Sequence, residues 1–381
     1  MAGLRRLWVP LAVAAVATAL VLDLWKPTEP IGIDFHTYEA AARVGLQHGW
    51  SRIYDQTLVA AEQKDLVPSQ ATQPFLSPPT TAWLAALLAA LPYWPSYYAW
   101  AIFTLAAFAL ALVWASQDKG MVRWLAAGAA LAPWWVLHAV HLGQVVPLVA
   151  AGVVVAWRLV RERRELAGGG ALVMTALKPN TAFVVPLTLL VAGRYRAFAA
   201  WAGAGAAVAV IALVTMGSSG TSSYISQLAG PLPGGADNLT LEGALRVSGA
   251  IALGLRVLIV AAALATAIRL RRSPGLVIAV GALASLLVAP YLHGSDLCLL
   301  SAAAWIVWQE RRALVWRVPL AAGWLVASPF VASTGSGLGL NRWPLVELLL
   351  LGALAFDAWR PRRRNEPVLT GEGEVGEPAT A

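Results

Sequence analysis

Ile33-Asp34-Phe35-His36-Thr37-Tyr38-Glu39-Ala40-Ala41-Ala42-Arg43 is followed closely by Gly49-Trp50-Ser51-Arg52-Ile53-Tyr54-Asp55. This is the most polar and information-dense stretch of a chain that is otherwise mostly apolar. Its spacing predicts a short amphipathic helix opened by Asp34. Phe35, Tyr38, Ala42 and Leu46 share one face, and Glu39, Arg43 and Gln47 lie off it. A carboxylate fixed at a helix start can take a proton from a hydroxyl. It can equally do no more than cap the helix, a role in which Asp is preferred and worth roughly 1 kcal/mol.

The surroundings of that stretch set the fold class. The chain has 381 residues, 59% of them hydrophobic and only 13% charged, with a mean hydropathy of +0.65. A soluble fold could not cover that much apolar surface. The expectation is an all-α polytopic membrane protein. The net charge of +8 does not call for a nucleic-acid partner, because no basic stretch interleaves aromatics. The basic residues instead sit between apolar runs, at Arg5-Arg6, Arg161 to Arg164, Arg269 to Arg272, Arg311-Arg312 and Arg360 to Arg364. That is how positive-inside anchoring looks. Trp8, Trp25, Trp94, Trp343 and Trp359 fall at the ends of apolar runs, as interfacial aromatics do.

Residues 7–25 read as a retained first span with a cytoplasmic N-terminus, which puts residues 26–77 outside. After the opening motif, residues 56–73 suggest a second helix lying on the bilayer surface. Pro78-Pro79 suits the start of a span. Further spans are expected at 80–92, 96–116, 124–140, 145–160, 171–192, 197–216, 249–268, 275–290, 297–308, 313–330 and 343–358, about 12 in all with the first. Strict alternation of these spans would leave Arg161 to Arg164 outside, against the positive-inside rule. A short hairpin turning at Lys178-Pro179-Asn180 would bring that cluster inside. Residues 217–247 and 331–342 read as further outer loops. Residues 1–360 form the membrane domain, and 361–381 a disordered cytoplasmic tail.

Few residues are equipped for chemistry. Cys298 is the sole cysteine, so neither an intrachain disulfide nor a cysteine metal site is expected. His36, His48, His138, His141 and His293 lack the His-x-x-x-His spacing of a helical zinc site, and no metal or other cofactor is expected. There is no P-loop and no Gly-x-Gly-x-x-Gly at a strand–helix junction, which argues against ATP or nucleotide-sugar use. Lys178 stands inside an apolar run, where a lysine costs roughly 2.5–3.5 kcal/mol to insert. It is a candidate for stabilising phosphate charge, or it snorkels to water beside Pro179. His293 could accept a proton or bind a phosphate when protonated; otherwise it is a turn residue satisfied by Ser295 or Asp296. Gln144 could hydrogen-bond a ligand's hydroxyls or pair two helices. Arg342 could contact phosphate or anchor at the interface.

Five stretches occur in a fixed order. Asp34-Phe35-x-x-Tyr38-x-Ala40-Ala41-Ala42 with Gly49-Trp50-x-x-Ile53-Tyr54-Asp55 comes first. Phe75-Leu76-Ser77-Pro78-Pro79, His141-Leu142-Gly143-Gln144, Leu177-Lys178-Pro179-Asn180 and Pro290-Tyr291-Leu292-His293 follow. The set resembles the glycosyltransferase 87 family of GT-C membrane enzymes. The resemblance implies a GT-C-type fold and transfer of a sugar, chiefly mannose, from a polyprenyl phosphate. The acceptor would be a glycolipid, glycan or protein hydroxyl on the outer face of the cell membrane. It implies Asp34 as the leading base with His293 as its rival. Lys178, Gln144, Arg342 and Asn180 would hold the donor, and His36, Tyr38, His141, Tyr291 and Asp296 would line the site. Arabinofuranosyl transfer is the near alternative. A lipid or solute transporter is the alternative from another class; it expects matching broken helices in two halves, and one is seen, at Lys178.

Overall fold

The computed structural model describes residues 30–230, 239–329, 331, 339 and 342–360. The expected first span at 7–25 and the tail at 361–381 lie outside these residues. Among the described residues the regular structure is entirely helical. Prolines mark where many helices begin, because in the first turn the missing N–H costs no hydrogen bond. Helices α1 (Ile33–His48) and α2 (Gln56–Leu66) are followed by α3 (Pro79–Ala86), α4 (Tyr93–Ala115), α5 (Gly120–Leu131), α6 (Trp134–Leu142) and α7 (Val146–Arg161). Then come α8 (Glu165–Ala171), α9 (Val184–Val191), α10 (Tyr195–Ala229), α11 (Leu241–Leu245), α12 (Gly249–Arg269), α13 (Pro274–Val288), α14 (Cys298–Glu310), α15 (Leu314–Val326) and α16 (Trp343–Trp359). Pro79, Pro147, Pro274 and Pro344 all occupy first-turn positions.

Two kinds of helix build the body. From Gly275 to Val288 every residue of α13 is buried, and α7 and α14 are nearly as enclosed. Helices that are apolar all round belong inside. Around them α4, α10, α12 and α16 turn large apolar side chains outward, among them Ile102, Val214, Ile251, Val257, Leu349 and Phe356. An exposed apolar band of this kind marks a lipid-facing surface. Three helices, α4, α10 and α12, are each long and apolar enough to cross a membrane, and α5 with α6 forms a fourth candidate bent by 64° at Ala132-Pro133.

The molecule has two chemically distinct ends. At one, α1 is tied to the start of α4 and the end of α6. The Gly32 N–H donates to the His141 carbonyl at 2.7 Å and the Tyr93 hydroxyl donates to the Gly32 carbonyl at 2.8 Å. At the other, the Gln117 N–H donates to Gln309 Oε1 at 2.9 Å, Trp157 Nε1 donates to Glu310 at 2.9 Å, and Arg311 pairs with Asp357 at 2.5 Å. Arg269 lies over the Trp359 ring at 4.1 Å, and Arg158 over Trp114 at 5.9 Å. The described basic clusters thus gather at one end and α1 sits at the other.

Two expected spans depart from end-to-end crossing. The segment 80–92 contains only the eight residues of α3 and then a turn; at 1.5 Å per residue such a helix is far shorter than a bilayer core. Both its flanks stay at the α1 end, where the Ser77 carbonyl accepts from Tyr54 at 2.8 Å and the Leu91 carbonyl from Arg43 at 3.2 Å. The segment 171–192 is a hairpin. Pro179 cannot continue a helix and pushes the preceding residue into extended backbone, and Lys178 has φ −150° and ψ 78°. The chain then returns through α9, and Arg194 pairs with Glu165 at 3.0 Å. The hairpin therefore begins and ends at the arginine-rich end, which is where Arg161 to Arg164 also fall. The loop expected from residue 217 starts with a break, since Gly217 has φ 62° and ψ −170°, but the chain resumes helix to Ala229.

Candidate active site

Helix α1 differs from the amphipathic surface helix expected of it. It is buried on most sides, Glu39 included, whereas Leu46 is 59% exposed. Glu39 is held inside by Arg43 at 2.7 Å. The cap position belongs to Gly32 rather than Asp34. Gly32 has φ 74°, and a Cβ there would lie 2.6 Å from the Tyr93 hydroxyl, so the close approach of α4 requires glycine. The capping reading of Asp34 fails for that reason. Its carboxylate is free to turn across the molecule to Gln144.

Gln144 is the hub. Its Nε2 donates to Asp34 Oδ2 at 2.6 Å. Its Oε1 accepts from the Tyr38 hydroxyl at 3.0 Å and from Lys178 Nζ at 3.3 Å. Two donors on one side and a carboxylate on the other fix which way the amide faces. Lys178 Nζ also lies 2.6 Å from Asp296 Oδ1, with the lysine side chain 13% exposed and the aspartate fully buried. Asp296 Oδ2 accepts the backbone N–H of His293 at 2.9 Å. Gly143 makes the approach of Gln144 to α1 feasible. It has φ 75°, and a Cβ there would sit 2.5 Å from the Cβ of Phe35. Trp100 Nε1 pins the same turn by donating to the Gly143 carbonyl at 2.8 Å.

Four stretches far apart in sequence thus meet in one network at the α1 end. Lys178 reaches it from the tip of the hairpin. Asn180 beside it donates to the Tyr291 carbonyl at 3.4 Å, tying that tip to the segment after α13. The rings of Tyr291 and His293 meet edge to face at 5.9 Å. The fifth stretch supplies a wall: Phe75 is buried against Tyr38 and Tyr54, with ring centroids 6.4 and 5.3 Å apart.

The electrostatics leave Asp34 poised between two tendencies. Burial raises its carboxyl above the ordinary value, and Lys178, the Gln144 hydrogen bond and His293 oppose that rise. Among the described residues only Oδ2 has a protein partner, so Oδ1 remains available to a ligand. The nitrogen of Lys178 has three donors, two of them directed at Asp296 and Gln144.

The other candidates lie elsewhere. His36 faces α2, with its Nε2 at 2.7 Å from the Gln63 carbonyl and its ring against Tyr93. Burial lowers its pKa, which favours the neutral ring. It holds two helices together and does not reach the network. His141 joins α1 through its backbone carbonyl. Arg342 is exposed at the start of α16, and its side chain makes no hydrogen bond or ion pair among the described residues. Asp55 caps α2 by accepting from the N–H groups of Thr57 and Leu58 at 3.2 and 3.3 Å. Tyr224 escaped the sequence reading. It stacks on Tyr54 with centroids 4.7 Å apart, so the far part of α10 joins the α1 end. The signal was an aromatic just beyond an apolar run, too common to single it out.

No curated protein and no solved structure matches the chain. The description of one family, Glycosyltransferase family 87, matches residues 75–290, more than half of the chain. The matched region contains Gln144, Lys178 and Asn180, and Asp34, His293 and Asp296 lie beyond it. With its helices apolar enough to span a membrane, the chain belongs to glycosyltransferase family 87, a family of membrane glycosyltransferases.

Proposed function

We propose that this glycosyltransferase moves a mannosyl residue from a polyprenyl phosphate to an acceptor hydroxyl, on the outer face of the cell membrane. The acceptor is a glycolipid, glycan or protein. The observation that carries the reading is the Asp34–Gln144–Lys178–Asp296 network, in which one carboxylate oxygen stays open and a single amide joins that carboxylate to a largely buried ammonium. Inverting transfer is a single displacement. The acceptor oxygen bonds to the anomeric carbon as the bond from that carbon to the phosphate oxygen breaks. The phosphate leaves with the electron pair, and the acceptor's proton goes to Asp34 Oδ1. A positioned base contributes on the order of 10²–10⁴ in rate. Lys178 meets the charge that develops on the leaving phosphate, and His293 stands by as a second donor to it. Asp296 keeps Lys178 aimed and charged, and Tyr38 and Gln144 keep Asp34 aimed.

Sidedness rests on charge. The arginine-rich end fits the cytoplasmic side, which leaves the Asp34 end outside. The re-entrant hairpin enters from inside and lifts Lys178 toward the outer site. Cysteines placed beside Asp34 and His293 are expected to label from outside only. Labelling of residue 34 solely from the cytoplasm overturns the scheme. Purified protein in lipid, given polyprenyl-phosphate mannose or arabinose with a panel of acceptors, tests the chemistry. Mannosyl transfer is expected; transfer of arabinose alone changes the sugar but keeps the mechanism. Transfer from a nucleotide sugar and from neither lipid donor ends the reading.

A further inference from the structure

At the end opposite Asp34, a cavity of about 690 Å³ opens where the hairpin starts and stops. Arg163 and Arg164 enter it from the first limb, and Arg194 and Arg196 from the second. One carboxylate, Glu165, also lines it, but that group is taken by Arg194 at 3.0 Å. Among the described residues Arg163, Arg164 and Arg196 have no carboxylate partner; nearby Glu162 is held by Arg158 at 2.6 Å. Arg163 has φ 61°, a left-handed conformation that favours glycine, and the turn nevertheless presents an arginine to the cavity. Several guanidinium groups around one space, unneutralised from within the protein, suit a phosphate group, which they grip through paired N–H donors.

The cavity is not purely polar. Leu166, 63% exposed, forms part of its wall, and Tyr195, 67% exposed, stands beside it. A free anion has no use for an apolar wall, whereas a phospholipid places its phosphate among the arginines and its chain along Leu166. Arginine-lined pockets between helices at the cytoplasmic side are where anionic headgroups bind. We infer that this cavity holds the phosphate headgroup of an anionic membrane lipid, which bridges the two limbs of the hairpin that carries Lys178. The inference uses the membrane setting but is independent of which sugar or acceptor the enzyme takes.

The test uses the full chain in neutral phosphatidylcholine nanodiscs, titrated with phosphatidylglycerol or with inorganic phosphate, and read by native mass spectrometry and thermal shift. Phosphatidylglycerol is expected to bind at one site and raise Tm. The double variant R163Q/R196Q, which leaves the Arg194–Glu165 pair intact, is expected to weaken that binding at least about tenfold. The matched variant R271Q/R312Q removes two exposed charges from the same end and is expected to bind as the parent does. L166S is expected to weaken lipid binding while leaving any inorganic phosphate binding alone. Because L166S keeps every charge, it gives a reading even if R163Q/R196Q fails to fold. Parent-like lipid binding by R163Q/R196Q overturns the proposal. So does an equal loss in R271Q/R312Q, which would mark general surface charge. Inorganic phosphate binding as tightly as the lipid would overturn the lipid assignment.

Discussion

The two ends of this molecule use charge in opposite ways. In the network at the Asp34 end, charges are few, largely enclosed and joined by short bonds: Lys178 to Asp296 at 2.6 Å, Gln144 to Asp34 at 2.6 Å. At the other end, arginines are many and mostly exposed, and several have no carboxylate partner. An exposed arginine in water costs almost nothing, and one surface ion pair contributes about 0–1 kcal/mol. A buried ion must be solvated by the protein itself, and stripping one partner from such a pair costs roughly 3–5 kcal/mol. The sparse end is therefore the expensive one, and expense without a stability return is where function concentrates.

That contrast can be broken most sharply at Asp34. Asp34→Asn is expected to cut kcat by at least about 10² while donor affinity holds. Burial raises the Asp34 pKa, so its folded state binds a proton at pH values where the unfolded chain has released it. Ionising Asp34 thus costs stability, fully above the folded pKa and not at all below the unfolded one. Asn removes that cost, so Tm is expected to stay level or rise as activity falls. For the same reason the acid limb of kcat/KM in the parent should lie above an ordinary aspartate value. His293→Gln is expected to weaken donor binding more than turnover. The reverse pattern in the two variants would make His293 the base.

Next in size is Asp296→Ala, which leaves Lys178 facing Gln144 alone. A loss of roughly 3–5 kcal/mol is expected, read as a lower Tm in lipid and a weaker hold on the donor. An unchanged Tm would mean that Lys178 is already hydrated and the buried-end picture is too dry. Gly143→Ala is expected to cost about 1–3 kcal/mol by overpacking against Phe35 and to lower kcat by shifting Gln144 from Asp34. The smallest effect belongs to the crowded end. R271Q/R312Q should leave Tm essentially unchanged and kcat/KM within about twofold of the parent, as exposed charges do. A large loss of activity there would erase the division between the ends.

Helix content and the proline starts were legible in the sequence because each rests on local chemistry, apolar runs and first-turn prolines. A lysine where lysine is costly singled out Lys178, whereas the grouping of the motif stretches was expected only from the family resemblance. Three things were not legible. The role of Gly32 as cap depends on Tyr93, which no local pattern near residue 32 reveals. The shortness of α3 is invisible to hydropathy, since residues 80–92 are apolar whether or not they cross. The roles of His36 and Arg342 turn on which way a side chain points, and in α1 a two-residue step carries His36 away from Asp34 toward Gln63. Gln144 looked like a minor candidate because an amide in a span has many uses; only its three partners make it central.

The hairpin also bears on how the protein is made. A ribosome delivers the chain from its N-terminus, so the loop bearing Lys178 emerges long before α13 and the turn that carries Asp296. Until then the ammonium has Gln144 within reach, with Asp34 beyond it, but lacks the Asp296 carboxylate that it pairs with directly. Because both limbs start and finish on the arginine side, the nascent hairpin need not carry its lysine through the bilayer and can slide inward once Asp296 arrives. Assembly of the site is thus a late event in biosynthesis. A chain truncated before Asp296 should leave Lys178 accessible from the side on which the arginine-rich end lies.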